Sequence, residues 1–222
     1  MNTIRLTHRE LGKMIRECVE RILSESPYSG LDDVTPGEKL TDAAIRNGFN
    51  LIGYHNTDNP TLNKFYNRWA GIHFGSLKAA NDRGKARGWD DEKENWTNKY
   101  FLKVENPLVI EKDFDWEMES FDDWSSPDDD KYFDDINIFA YFEKELGWKT
   151  TCPEYGYNIS EILRQHGYDC IIYKNEIEDI GNYSIAMFNP NNIKLARETT
   201  DDRGYPIPLK RRFNTSINDV RY

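Results

Sequence analysis

Apolar positions along the chain fall into blocks whose spacing changes from helical to alternating and back. Leu11, Ile15, Cys18, Val19 and Ile22 recur at helical spacing, which predicts an amphipathic helix near the N-terminus. Thr7 and Glu10 frame its start as a capping box, each able to satisfy an orphan backbone donor of the other. The stripe ends near Ser24, and residues 24–40 carry two prolines and two glycines. Residues 1–30 therefore read as a helix and linker, tethered to a main domain rather than built into it.

From Phe49 the pattern becomes mixed. Strands are expected at 49–55, 70–75, 99–104 and 106–111, and again at 169–175, 183–188 and 192–197. Helices are expected at 60–69, with Pro60 at the first helical position. Two more are expected at 136–147 and 159–167, each closed by a glycine. The class is α+β, with the main domain over 49–197. Residues 198–222 form a polar tail, expected to be loosely held. No internal repeat stands out.

Composition narrows the picture. With 222 residues, 38% apolar and 14% aromatic, the chain can bury one sizeable core. Its net charge of −10 is concentrated: residues 111–135 hold twelve Asp/Glu against Lys112 and Lys131, which accounts for the whole excess. This stretch reads as a solvated acidic insertion. Its aromatics (Phe114, Trp116, Phe121, Trp124, Tyr132, Phe133) suggest that it folds back on the domain or meets a partner. An acidic chain repels nucleic-acid backbone, so general nucleic-acid binding is not expected. No apolar run approaches the roughly 20 residues that span a bilayer, so no membrane partner is expected. Cys18, Cys152 and Cys170 are odd in number and scattered, which fits free thiols in a reducing cytoplasm and no metal site.

Phosphate-loop, dinucleotide-fingerprint and nucleophile-elbow patterns are missing. The histidines are more informative. His166 precedes a helix-stopping glycine and reads as a helix-dipole partner. His55 and His73 sit on two expected strands joined by one expected helix, an arrangement that can bring both imidazoles to one sheet edge. A hydrogen-bonded core histidine remains the plain alternative at position 73.

The segments "YHNT", "GIHFGSLKAAN" and "YSIAMFNPNNI" resemble, in order, the three strand motifs of ADP-ribosyltransferases, in the branch that includes poly(ADP-ribose) polymerases. "HGYDCIIYKN" is similar to the segment leading into the last motif. "HFG" and "NPL" resemble ADP-ribosyltransferase-like domains of large polyvalent phage proteins, and the capped helix resembles leaders of proteins from phages of the Bacteroides group. The resemblance covers residues 49–197. It implies a split pair of antiparallel sheets, a β-sandwich with NAD in the cleft as substrate and no metal.

Carried over by position, the resemblance gives His55 a ribose hydroxyl, and Asn56 and Thr57 the nicotinamide amide or nearby ribose. His73 replaces a stacking tyrosine beside the nicotinamide ring, within a binding segment that includes Gly71, Phe74 and Gly75. The catalytic glutamate of the family falls on Ser184, which cannot neutralise developing positive charge. Ala79 and Asp82 also depart from the motif. Glu176 and Glu178 are the expected substitutes, with solvated loop charges as their plain alternative. The resemblance thus implies an NAD-dependent transferase of phage or bacterial origin acting on a bacterial macromolecule in the host cytoplasm. Its alternatives are a degenerate binding or virion-associated module, with the N-terminal helix as a docking device, and an NAD glycohydrolase toxin.

Overall fold

The computed structural model describes residues 34–67, 71–88, 96–111, 141–142, 145–148 and 159–222. The N-terminal helix, the acidic insertion beyond Glu111 and most of the helix expected at 136–147 lie outside the described residues, as do Cys18 and Cys152.

The chain is α+β. A short helix α1 (Asp42–Arg46) is capped by Thr41, whose hydroxyl accepts from the Ala44 amide. It leads into β1 (Leu51–Thr57), β2 (Ile72–Phe74), α2 (Leu77–Ala86), β3 (Trp96–Leu102) and β4 (Pro107–Ile110). Helix α3 (Ile159–Gln165) precedes β5 (Cys170–Lys174), β6 (Tyr183–Met187) and β7 (Ile193–Leu195). One sheet has the order β1-β3-β7 and the other β2-β6-β5-β4.

The first sheet is antiparallel throughout. The second is mixed, because β4 and β5 pair in parallel, which corrects the all-antiparallel expectation. Parallel neighbours need a long crossover, and the segment between Ile110 and Cys170, with α3 at its end, supplies one.

Strand alternation sorts side chains onto three cores. Leu51, Phe74, Tyr100, Ile172, Ile185, Met187 and Leu195 share a buried cluster drawn from both sheets. Ile171, Tyr173, Ala186 and Phe188 point the other way, onto Ile159 and Leu163 of α3. Ile52 and Phe101 face outward from the first sheet, onto Ala43, Ala44, Phe49 and Phe213.

Three expectations change. The stretch from Pro60 to Asn67 is not helical. Asn59 accepts from the Thr61 amide and hydroxyl, which makes a local turn. The carbonyls of Asn63 and Phe65 are then taken by Val220 and Asn218 instead of by a helix ladder. His55 lies inside its strand rather than at the end, since pairing with β3 continues to Thr57 opposite Trp96.

The C-terminal segment is also no loose tail. Val220 is 1% exposed, and its backbone bonds Leu195 at 2.7 Å and Asn63 at 2.9 Å. Lys194 is fully buried and donates to the carbonyls of Ile217 and Asp219, both at 3.0 Å. Burial lowers its pKa to about 8, so it stays an ammonium at neutral pH.

Candidate functional site

Strands β1 and β2 belong to different sheets and touch at one bridge. Tyr54 and Gly75 exchange both backbone hydrogen bonds, at 2.9 and 3.1 Å. His55 follows Tyr54, so its ring stands where the two strands diverge. Its Nδ1 lies 2.8 Å from the His73 carbonyl. A carbonyl only accepts, so Nδ1 carries the proton and Nε2 of the neutral ring keeps its lone pair. Burial holds the His55 pKa below its usual value, opposed by the bond to His73. The ring is half-buried and packs on Phe65 and Phe74, at centroid distances of 5.0 and 5.4 Å.

His73 is joined to this arrangement by its backbone, not by its ring. Because Phe74 faces His55, alternation turns the His73 side chain to the opposite face of β2. There its Nδ1 lies 2.9 Å from the Tyr173 hydroxyl. Its pKa is pushed down to about 3, first by burial and then by the charges of His55, Arg83 and Arg87. The expectation that both imidazoles reach one sheet edge is therefore not met: β1 and β2 lie in different sheets, and the His73 ring, expected beside the nicotinamide, points away from His55 across β2.

Ser184 shares the His73 face, opposite Tyr173 in the sheet register. It is 3% exposed, and its Oγ accepts from Asn175 Nδ2 at 3.0 Å. A Cβ built on Gly75 would stand 2.8 Å from that oxygen, so Ser184 fills the room which the glycine leaves. Gly71 has φ +99°, and a Cβ there would lie 2.9 Å from the Met187 carbonyl. Only glycine fits there without strain.

The other expected binding residues are partly committed elsewhere. Asn56 is buried and donates to Thr97 Oγ1 at 2.8 Å. Thr97 in turn donates to Asn81 of α2 at 2.7 Å, which ties β1 and β3 to that helix. The Thr57 hydroxyl accepts from the Asn59 amide at 3.0 Å.

Between β5 and β6, residues 175–182 form a loop laid against α2. Asn175 Oδ1 accepts from the amides of Ile177 and Glu178. Glu178 pairs with Arg83 at 3.4 Å, while Glu176 is exposed. Asp179 is buried, accepts from the Ser76 hydroxyl and stands 3.5 Å from Lys78. Ser76 also caps α2 through the Ala79 amide at 3.0 Å. Sequence reasoning missed Tyr173, Asn175, Asp179, Arg83 and Arg87. The only available signal was the polar run around Glu178, which does not reveal that it folds onto α2.

Among the described residues, no group of three or more His, Cys, Asp or Glu could hold a metal ion. No described helix is long and apolar enough to cross a membrane. Cys170 is a buried free thiol whose pKa burial raises well above its usual value, so it is no nucleophile. Two surface hollows, of about 550 and 230 Å³, include none of the histidines in their linings. The candidate site is the place where β1 and β2 part beyond the Tyr54–Gly75 bridge. No protein-family model, curated protein or solved structure matches the chain.

Proposed function

We propose that the protein is an NAD-dependent ADP-ribosyltransferase-like domain of phage or bacterial origin, and that it takes the nicotinamide-ribose half of NAD where β1 and β2 diverge. The observation that carries this reading is His55. It is a half-buried neutral imidazole, anchored through Nδ1 to the His73 carbonyl, with an Nε2 lone pair suited to a ribose hydroxyl donor. Further support is the position of the three resembling segments on β1, β2 and β6, in two sheets over a shared core. That arrangement is compatible with a split-sheet transferase fold.

In the proposed reaction a target nucleophile attacks the anomeric carbon of the ribose. The bond to nicotinamide breaks, nicotinamide leaves with the electron pair, and the nucleophile loses its proton to solvent. The chain's part is to orient the sugar and to place charge near the developing cation. Glu178 and Asp179 are the carboxylates on the loop beside Ser184, with Glu176 further out.

A second reading, binding without transfer, is favoured by Ser184. Its hydroxyl is buried and engaged by Asn175, so it supplies no negative charge at the glutamate position of the family. Incubation with NAD labelled in the adenylate half separates the outcomes. Label moved to a bacterial protein or nucleic acid supports transfer, and NAD consumed without label transfer indicates hydrolysis. Binding with no consumption makes the domain a non-catalytic reader. No binding at all rejects the NAD reading.

A further inference from the structure

A second feature of the molecule points to a different ligand. The hollow of about 550 Å³ is lined by Lys210, Arg211, Phe213, Asn214, Ile217 and Tyr222, and its size falls within the ~300–1,000 Å³ usual for small-molecule sites. We propose that it binds a nucleotide, an aromatic base carrying a phosphate, independently of the histidine site. Phe213 packs on Phe49 and Phe101 at 5.5 and 6.1 Å. This is the face of the first sheet opposite His55, because Phe101 pairs with Ile52 in the register.

Three chemistries converge on this hollow. The first is a pair of cations that no side-chain carboxylate among the described residues engages. Arg211 and Arg221 both lie over the Tyr222 ring, at 5.6 and 5.8 Å from its centroid. Arg221 is neutralised by Asp219 and Asp202, each at 2.7 Å. Arg211 and Lys210 have no carboxylate partner among the described residues. Two unpaired cations side by side on a chain of net charge −10 make a local anion site. The Arg211 guanidinium, beside the Tyr222 ring, offers a phosphate a fork of N–H donors.

The second is an apolar wall. Ile217 keeps 39% of its surface exposed, beside Phe213 and Tyr222, which suits the face of a planar ring. The third is a directed polar group. Asn214 Oδ1 accepts from the Ser216 amide at 2.9 Å. That bond engages Oδ1 and leaves Nδ2, on an exposed residue, as a donor for a base nitrogen or carbonyl. Bare phosphate would use the cations and leave the wall wet. A neutral aromatic would use the wall and leave the cations unmatched. A nucleotide uses all three.

The test is calorimetric titration of the full chain with AMP, adenosine, inorganic phosphate and an acidic peptide. The inference expects AMP to bind at least about tenfold tighter than the other three, since each lacks the phosphate or the base. Lys210→Gln and Arg211→Gln should each weaken AMP about tenfold, the scale of one charge-assisted hydrogen bond, with an unchanged thermal transition. Lys210 is exposed, so its variant folds even if loss of the Arg211–Tyr222 contact loosens the segment. Phosphate or the acidic peptide binding as tightly as AMP overturns the proposal. So does undetectable AMP binding, or an AMP affinity that Lys210→Gln leaves unmoved.

Discussion

Two buried polar networks hold this fold together, and they are built in opposite ways. At the C-terminal segment the groups are charged and matched: Lys194 donates to two carbonyls, Arg221 pairs with Asp219 and Asp202, and Thr199 donates to the Arg221 carbonyl. At the β1–β2 split the groups are neutral and the matching is incomplete. His55 makes one hydrogen bond through one nitrogen and stays half-buried. Lys194, Arg221 and Thr199 have their partners and serve as scaffold, although Arg212 Nε and Asn218 Oδ1 in the same segment stay buried without one among the described residues. A half-buried acceptor with no partner among the described residues is where a ligand donor gains most. The contrast assigns stability to the Lys194–Arg221 network and NAD recognition to the β1–β2 split.

The largest effect tests the scaffold half. Lys194→Met removes a buried ammonium and leaves two carbonyls without their donor, each worth ~1–3 kcal/mol when buried and unsatisfied. A loss of about 4 kcal/mol in denaturant unfolding is expected. A loss below ~1 kcal/mol would show that water replaces the ammonium and that the segment is peripheral after all.

Ser184→Glu comes next and bears on the site half. The side chain would enter space already filled between Gly75 and Asn175, with an unpaired carboxylate. Overpacking and buried charge together are expected to cost about 3 kcal/mol, read as a lower thermal transition. If the variant instead keeps its stability and gains NAD turnover, the pocket around Ser184 opens more than its 3% exposure indicates, and catalytic repair is feasible. Gly75→Ala probes the same contact more gently, with about 2 kcal/mol expected from a Cβ 2.8 Å from Ser184 Oγ.

Smaller effects separate the two faces of β2. Tyr173→Phe removes the partner of His73 Nδ1 and is expected to cost about 1 kcal/mol, without weakening NAD at His55. His73 also predicts a pH response. Its folded pKa is about 3 against an ordinary value of 6.5, so between those values the unfolded chain binds the extra proton. Its contribution to stability is complete above pH 6.5 and falls as pH drops below it. Carboxylates titrate in the same range, so the informative quantity is the difference between wild type and His73→Gln, whose acid-side slope should be shallower. Identical slopes would mean that the imidazole protonates freely in the folded state.

Much of the fold was legible because its signals are local. The apolar runs at 107–110 and 170–174, the strand expected at 183–188 and the helix closed by Gly167 all reappear as elements. What was illegible depends on distant partners. Pro60 suggested a helix start, but the Asn63 and Phe65 carbonyls are claimed by residues more than 150 positions away. The C-terminal segment looked like a tail because Phe213 and Val220 are isolated apolar residues, and most of its bonds use backbone carbonyls that have no sequence signature. At the site, the nearness of His55 to residue 73 was expected, but on one sheet rather than across two. The divergence of the rings was not, because it depends on which face of β2 meets Phe65. Ser184 was readable as a departure from the resembling motif, but its burial behind Gly75 was not.

The most direct test of the central claim is a crystal structure of the full chain with NAD. The account predicts the nicotinamide ribose in the opening between β1 and β2, with one of its hydroxyls within hydrogen-bond distance of His55 Nε2, and this density lost in His55→Ala. NAD bound elsewhere with the split unoccupied, or bound identically in His55→Ala, would contradict it.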